Sequence, residues 1–108
     1  MLVFRNGTVS IGDVFCSQYG YEQTNVHFYQ VISIHGKKTI VVQEIEQKII
    51  GYTSSMSGYT KPASNCFIGE RLKRQIRDSS NNPCIKIDEC EFAYKTTPQK
   101  IHEFSSWY

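Results

Sequence analysis

The side chains with which this chain could do acid–base, nucleophilic or metal chemistry are His27, His35, His102, Cys16, Cys66, Cys84 and Cys90. Thiol chemistry needs a base beside the sulfur, and Cys16 with His27 is the conceivable pair. Zinc would normally show at least one close cysteine pair, whereas these cysteines are irregularly spaced with no C-x-x-C. Two disulfides would need an oxidising compartment, and nothing in the sequence marks secretion. Cys84 and Cys90 flank a strand-like run and read as small buried hydrophobes. His27 alternates with apolar residues and reads as a structural or rim histidine, while His35 falls in a turn. There is no G-x-S-x-G and no P-loop glycine pattern. No catalytic residue, metal ligand or cofactor is assigned, and the expectation is a protein that is not an enzyme.

Two constellations suit binding instead. Between Tyr19 and Asn25, the side chains of Glu22, Gln23, Thr24 and Asn25 crowd four hydrogen-bonding groups among aromatics. They could read a polar ligand, a nucleobase or a peptide backbone. Equally, Thr24 and Asn25 could cap the turn while Tyr19 and Tyr21 pack on a rim. The second is basic: Arg71, Lys73 and Arg77 share one face of a strand, Arg74 falls on the other, and Lys61 and Lys86 are candidate neighbours. With Tyr21, Tyr52 and Tyr59 as apolar anchors, that face would suit a nucleic-acid backbone or an acidic protein surface. The bland alternative is a solvated face balanced by Glu70, Asp78, Asp88, Glu89 and Glu91.

The elements that must position these residues are strands. Leu2-Val3-Phe4 ends at an Asn6-Gly7 turn, and Gly12-Asp13 enters a second strand. Phe28 to Ile34 is the clearest strand, with Phe28, Ile32 and Ile34 on one face and Tyr29 and Val31 on the other. Apolar residues on both faces predict a central strand or a closed barrel. His35-Gly36-Lys37-Lys38 turns into a β-branched partner, Thr39 to Ile45, extending through Ile50 with a kink. Residues 51–66, rich in Ser, Thr, Gly and Tyr, predict a long exposed excursion with no more than a short turn of helix. Leu72, Arg74 and Ile76 then alternate with Lys73, Gln75 and Arg77. A turn over Asp78–Pro83 leads to two short strands, and the aromatic end, Phe104 to Tyr108, is expected to pack back onto the barrel.

With 108 residues, 40% apolar and 20% charged, the chain is expected to form one domain spanning 1–108. The fold class is all-β, a small antiparallel barrel, SH3-like or partly open, with a long central loop. A net charge of +2 does not by itself imply nucleic acid, although residues 55–108 hold eight of the twelve basic residues. No run approaches the roughly 20 apolar residues that span a bilayer, and the N-terminus lacks a signal-peptide layout, so the expected location is cytoplasmic.

The residues already named carry a resemblance. Gly12-Asp13-Val14-Phe15, Tyr19-Gly20-Tyr21-Glu22-Gln23-Thr24-Asn25, Phe28-Tyr29-Gln30-Val31 and Ser105-Ser106-Trp107-Tyr108 resemble a family of small uncharacterised proteins of bacteriophages and bacterial mobile elements. The likeness continues through Phe67-Ile68-Gly69-Glu70, Ile85-Lys86-Ile87 and Ala93-Tyr94, and so covers nearly the whole chain. Tyr19 stands where the family often has tryptophan. The resemblance implies a phage-type product in a bacterial host cell. Small phage proteins commonly bind a host target, defence effectors such as those of CRISPR systems included. The expected function is therefore a non-enzymatic inhibitor, of anti-CRISPR or other anti-defence type, that occludes a host protein or nucleoprotein. The alternative is a small-barrel protein that binds single-stranded DNA or RNA. The oligomeric state is left open.

Overall fold

The computed structural model describes residues 1–5, 7–19, 25–54, 57–78, 82–88, 91–97 and 101–105. For 18, 19, 25, 52–54, 57 and 103–105 it describes the backbone alone. β1 (Leu2–Phe4) and β2 (Gly7–Val9) pair antiparallel in a small hairpin, while Asn6 of the predicted turn lies outside the described residues. The remaining strands are β3 (Val14–Tyr19), β4 (Asn25–His35), β5 (Thr39–Ser54), β6 (Ser57–Arg77), β7 (Cys84–Asp88), β8 (Glu91–Thr96) and β9 (His102–Ser105). They pair antiparallel in the order β5-β4-β3-β8-β7-β6, and β5 also pairs β6, so six strands form a ring that nearly closes. The protein is all-β and barrel-like, as its sequence predicts. No helix among the described residues is long and apolar enough to cross a membrane.

The interior core holds Phe15, Tyr29, Val31, Ile40, Val42, Ile76, Ile85 and Ala93, and the β1–β2 hairpin adds Leu2 and Val9. Both faces of β4 are buried, because Val26, Phe28 and Ile45 join Val14 and Cys16 in a second core on the outside of the wall. One part of the face assignment needs correction. A bulge between Val31 and Ser33 reverses the alternation, so Ile34 packs with Tyr29 and Val31 against the interior rather than with Phe28.

In place of the predicted excursion, 51–54 and 57–66 are hydrogen-bonded strand rather than loop, and 55–56 lie outside the described residues. Beyond the barrel, β5 and β6 continue as a two-stranded arm, pairing Gln47 with Pro62 through Ser54 with Ser57. β9 adds a third strand, pairing Ser57–Thr60 with His102–Ser105. Most of the described side chains of β5 in the arm are exposed, so the ladder leaves no alternating apolar signature. Of the aromatic end, the backbone of 104 and 105 pairs with the arm, while the side chains of 103–105 and all of residues 106–108 lie outside the described residues.

Two bulges in β6 turn the arm off the barrel. Between the Gln43–Arg71 and Ile45–Phe67 pairs, β6 spends three residues against one of β5, and Gly69 there sits at φ 73°. Between Ile45–Phe67 and Gln47–Pro62 it spends four against one, with Asn65 at φ 66°. Asparagine is one of the few non-glycine residues that tolerates this region. Gln30 holds the bulge in place: its Nε2 donates to Asn65 Oδ1 at 2.9 Å, and its Oε1 accepts from Asn65 N at 2.8 Å. Gln30 is buried on the barrel wall and Asn65 is exposed, so Gln30→Ala removes two hydrogen bonds without leaving a buried group unpaired. At about 0.5–1.5 kcal/mol for each, the change should cost about 1–3 kcal/mol in urea unfolding. A loss below about 0.5 kcal/mol would show that the clamp does not hold the arm.

Candidate functional site

The basic strand is laid out as its alternation predicts. Arg71, Lys73, Gln75 and Arg77 are exposed, Leu72 and Arg74 are half-buried, and Ile76 is buried in the interior. Pairing of β6 with β7 and of β7 with β8 carries this outer face onward. Arg77 stands opposite Cys84, Cys84 opposite Tyr94, and Lys86 opposite Phe92. Lys73, Arg77, Lys86, Phe92 and Tyr94 therefore project from one side of the sheet. The Arg77 guanidinium lies 5.8 Å from the centroid of the Phe92 ring, within cation–π range. Tyr94 keeps 45% of its surface exposed.

The outside of β3 and β4 is covered. Outside β3 and β4, His102 of β9 stacks edge-on against Phe28 with centroids 5.3 Å apart. Its Nδ1 is 3.6 Å from Cys16 Sγ and its Nε2 3.1 Å from Thr96 Oγ1. Gln47 of the arm donates to the Val26 carbonyl. The arm and β9 thus bury the outside of β3 and β4, while Arg77 and Tyr94 on the β6–β7–β8 side are exposed.

Of the three tyrosine anchors, Tyr59 does not join the basic strand. Tyr59 lies on the arm, opposite Gly51 and Glu103, most of the length of β6 away from Arg77. Tyr52 has its backbone on the arm and its side chain outside the described residues, where Tyr21 also falls. Lys61 sits opposite Lys48 on the arm rather than beside the basic strand. Of the expected neighbours, Lys86 is in place. Phe92 and Tyr94 are the aromatics beside the basic strand. The signal was in Glu91-Phe92-Ala93-Tyr94, whose small, buried Ala93 fixes Phe92 and Tyr94 as outward.

The polar loop 20–24 lies outside the described residues, as does the side chain of Asn25. Its flanks are described, and they are polar. Ser17, Tyr29 and Glu91 meet at one end of the barrel, where Glu91 Oε2 accepts from Ser17 Oγ at 2.6 Å and from Tyr29 Oη at 2.7 Å. Beside them His27 Nδ1 lies 2.9 Å from Glu44 Oε2, each side chain about a third exposed (33% and 30%). The expected Cys16–His27 pairing is corrected here. Cys16 lies opposite Phe28 and faces outward to His102, whereas His27 lies opposite Ser17 and faces the barrel end. Among the described residues no three of His, Cys, Asp or Glu are grouped to hold a metal ion.

Two of the motifs do structural work. In Phe28-Tyr29-Gln30-Val31, Phe28 fills the outer core, Tyr29 bonds Glu91, Gln30 clamps Asn65 and Val31 fills the inner core. In Gly12-Asp13, Gly12 adopts φ 95° and donates to the Val31 carbonyl. Asp13 Oδ2 accepts from Ser10 N at 2.7 Å and faces Lys95 Nζ at 3.5 Å. No protein-family model matches the chain, and no similar curated protein or solved structure was found.

Proposed function

We propose that this is a non-enzymatic binding domain that takes single-stranded nucleic acid on the outer face of β6, β7 and β8. One observation carries the reading: Lys73, Arg77 and Lys86 share one outer face of the sheet with Phe92 and Tyr94. Cations track a phosphate backbone and ring faces stack bases, a pairing that suits single strands of any sequence. An acidic protein surface would use the cations but has less need of a flat exposed tyrosine. The phage or mobile-element origin and the bacterial cytoplasm belong to the same proposal and rest on the motif resemblance.

Fluorescence anisotropy with a labelled oligothymidylate tests it. Three neutralised phosphates give a slope of about −2 in log affinity against log salt, so a fourfold rise in salt lowers affinity by about twentyfold. Tyr94→Ala removes one stacking platform and should cost about 1–3 kcal/mol of binding. Absence of binding at low salt would refute the reading.

A second reading, occlusion of a host protein or nucleoprotein such as a defence effector, draws support from the arm. Ile49, Ile50, Tyr59, Phe67 and Ile68 are exposed along its length and base, and aromatics of this kind anchor protein interfaces. A pull-down from bacterial lysate with and without nuclease separates the two. A stoichiometric protein that survives nuclease favours occlusion, and loss of the bound material on nuclease treatment favours nucleic acid.

A further inference from the structure

The seam between β6 and β7 is the weak closure of the barrel. Its ladder holds two pairs, Ile76 with Ile85 and Arg77 with Cys84, and then the strands part. A register shift in β7 between Lys86 and Asp88 accompanies the parting. Arg74 bridges the gap: Nε donates to the Lys86 carbonyl at 3.0 Å, Nη2 to the Ile87 carbonyl at 3.1 Å, and Nη1 to the Lys73 carbonyl at 2.9 Å. Where the strands part, an open cleft of about 520 Å³ is lined by Lys38, Arg74, Arg77, Lys86 and Asp88, among others. The turn carrying Lys38 is fixed there because Ile76 N donates to the Lys38 carbonyl at 2.7 Å.

We infer that this cleft is a phosphate-binding site, with Arg74 as its preorganised floor and Lys38, Arg77 and Lys86 as its walls. A guanidinium has five N–H donors. Three are taken by carbonyls, which fixes the plane of the group, and two remain for an anionic oxygen. Fixing the donor in advance lowers the entropy lost when the anion arrives. Lys38, Arg77 and Lys86 make no ion pair among the described residues, so four cations face one lining carboxylate, Asp88. That balance selects an anion. Planar and compact cations together suit a phosphate oxygen cluster. The volume falls within the range of small-ligand pockets, so a whole nucleotide fits as readily as one phosphate of a strand. The inference rests on the nucleic-acid reading for its natural ligand, since Arg77 and Lys86 border both the cleft and the stacking face.

Amide NMR titrations of the full chain with inorganic phosphate, thymidine 5′-monophosphate and oligothymidylate test the site. Phosphate and the monophosphate should shift the amides of Lys38, Ile76, Arg77, Lys86 and Ile87 in a saturable way, and the Lys38→Ala/Lys86→Ala double variant should lose those shifts. Lys38→Ala alone, which leaves the face cations Lys73, Arg77 and Lys86 in place, should lower the salt slope of oligothymidylate binding by about 0.7, the one phosphate contact that the cleft adds to those three. Oligothymidylate binding with no cleft shifts and an unchanged slope would overturn the site and leave the face reading intact. Saturable cleft shifts with the small phosphates, but no oligothymidylate binding, would uphold the site for free nucleotides and overturn the strand-binding reading. Absence of both overturns both.

Discussion

Reversing Lys73, Arg77 and Lys86 to glutamate should remove oligothymidylate binding, with a loss on the order of 100-fold or more at 50 mM salt. Three attractive contacts to phosphate become three repulsive ones on the outer face of β6 and β7. The fold should survive, because Lys73 and Arg77 are exposed, Lys86 is half-buried, and none of the three is ion-paired among the described residues. Surface changes of this kind each move stability by about 0.5 kcal/mol. Anisotropy for binding and urea unfolding for stability, run on the same preparation, separate the two effects. Retained binding by a folded triple variant would remove this face from consideration and turn attention to the arm.

Phe28→Ala should destabilise the protein by about 3–5 kcal/mol, the usual cost of emptying a fully buried aromatic site. Domains of this size are stable by about 5–15 kcal/mol, so the loss is a large part of the total. Phe28 is a joint between two layers. It belongs to the outer core with Val14, Cys16, Val26 and Ile45, and it meets the His102 ring that β9 brings down onto the wall. The urea midpoint should fall sharply. Hydrogen exchange at Thr60, whose backbone pairs with β9 at His102, should speed up more than exchange at Val31 inside the barrel. A loss under about 1 kcal/mol would show that the arm is not packed on this wall.

The barrel was legible because its strands keep strict alternation where one face is dry. Leu72, Arg74 and Ile76 against Lys73, Gln75 and Arg77 gave the correct faces for the candidate cations. The alternation misled at Ile34, where the Val31/Ser33 bulge adds a residue that no residue type announces. It was silent over 51–66, because the described arm residues of β5 are mostly exposed and place little constraint on side-chain type. The tyrosines of that stretch looked available to the basic strand only because nearness in sequence stood in for nearness in space. A strand as long as β6 (Ser57–Arg77) carries its two ends far apart. Pairings between distant segments escaped for the same reason. Nothing local to Cys16 points to His102, and nothing local to Gln30 points to Asn65.

The strand order also sets a schedule for folding. β4, β5 and β6 follow one another in the chain and can zip as successive hairpins, as can β7 with β8. The pairing of β3 with β8, by contrast, joins Val14 to Thr96 across most of the chain. Distant pairings of this kind slow folding, because loop entropy is lost before any contact rewards it. During synthesis the early hairpins must therefore wait, with their apolar faces open, until β8 has left the ribosome and the ring can be completed. The same holds for the outer core, whose cover, β9, arrives later still.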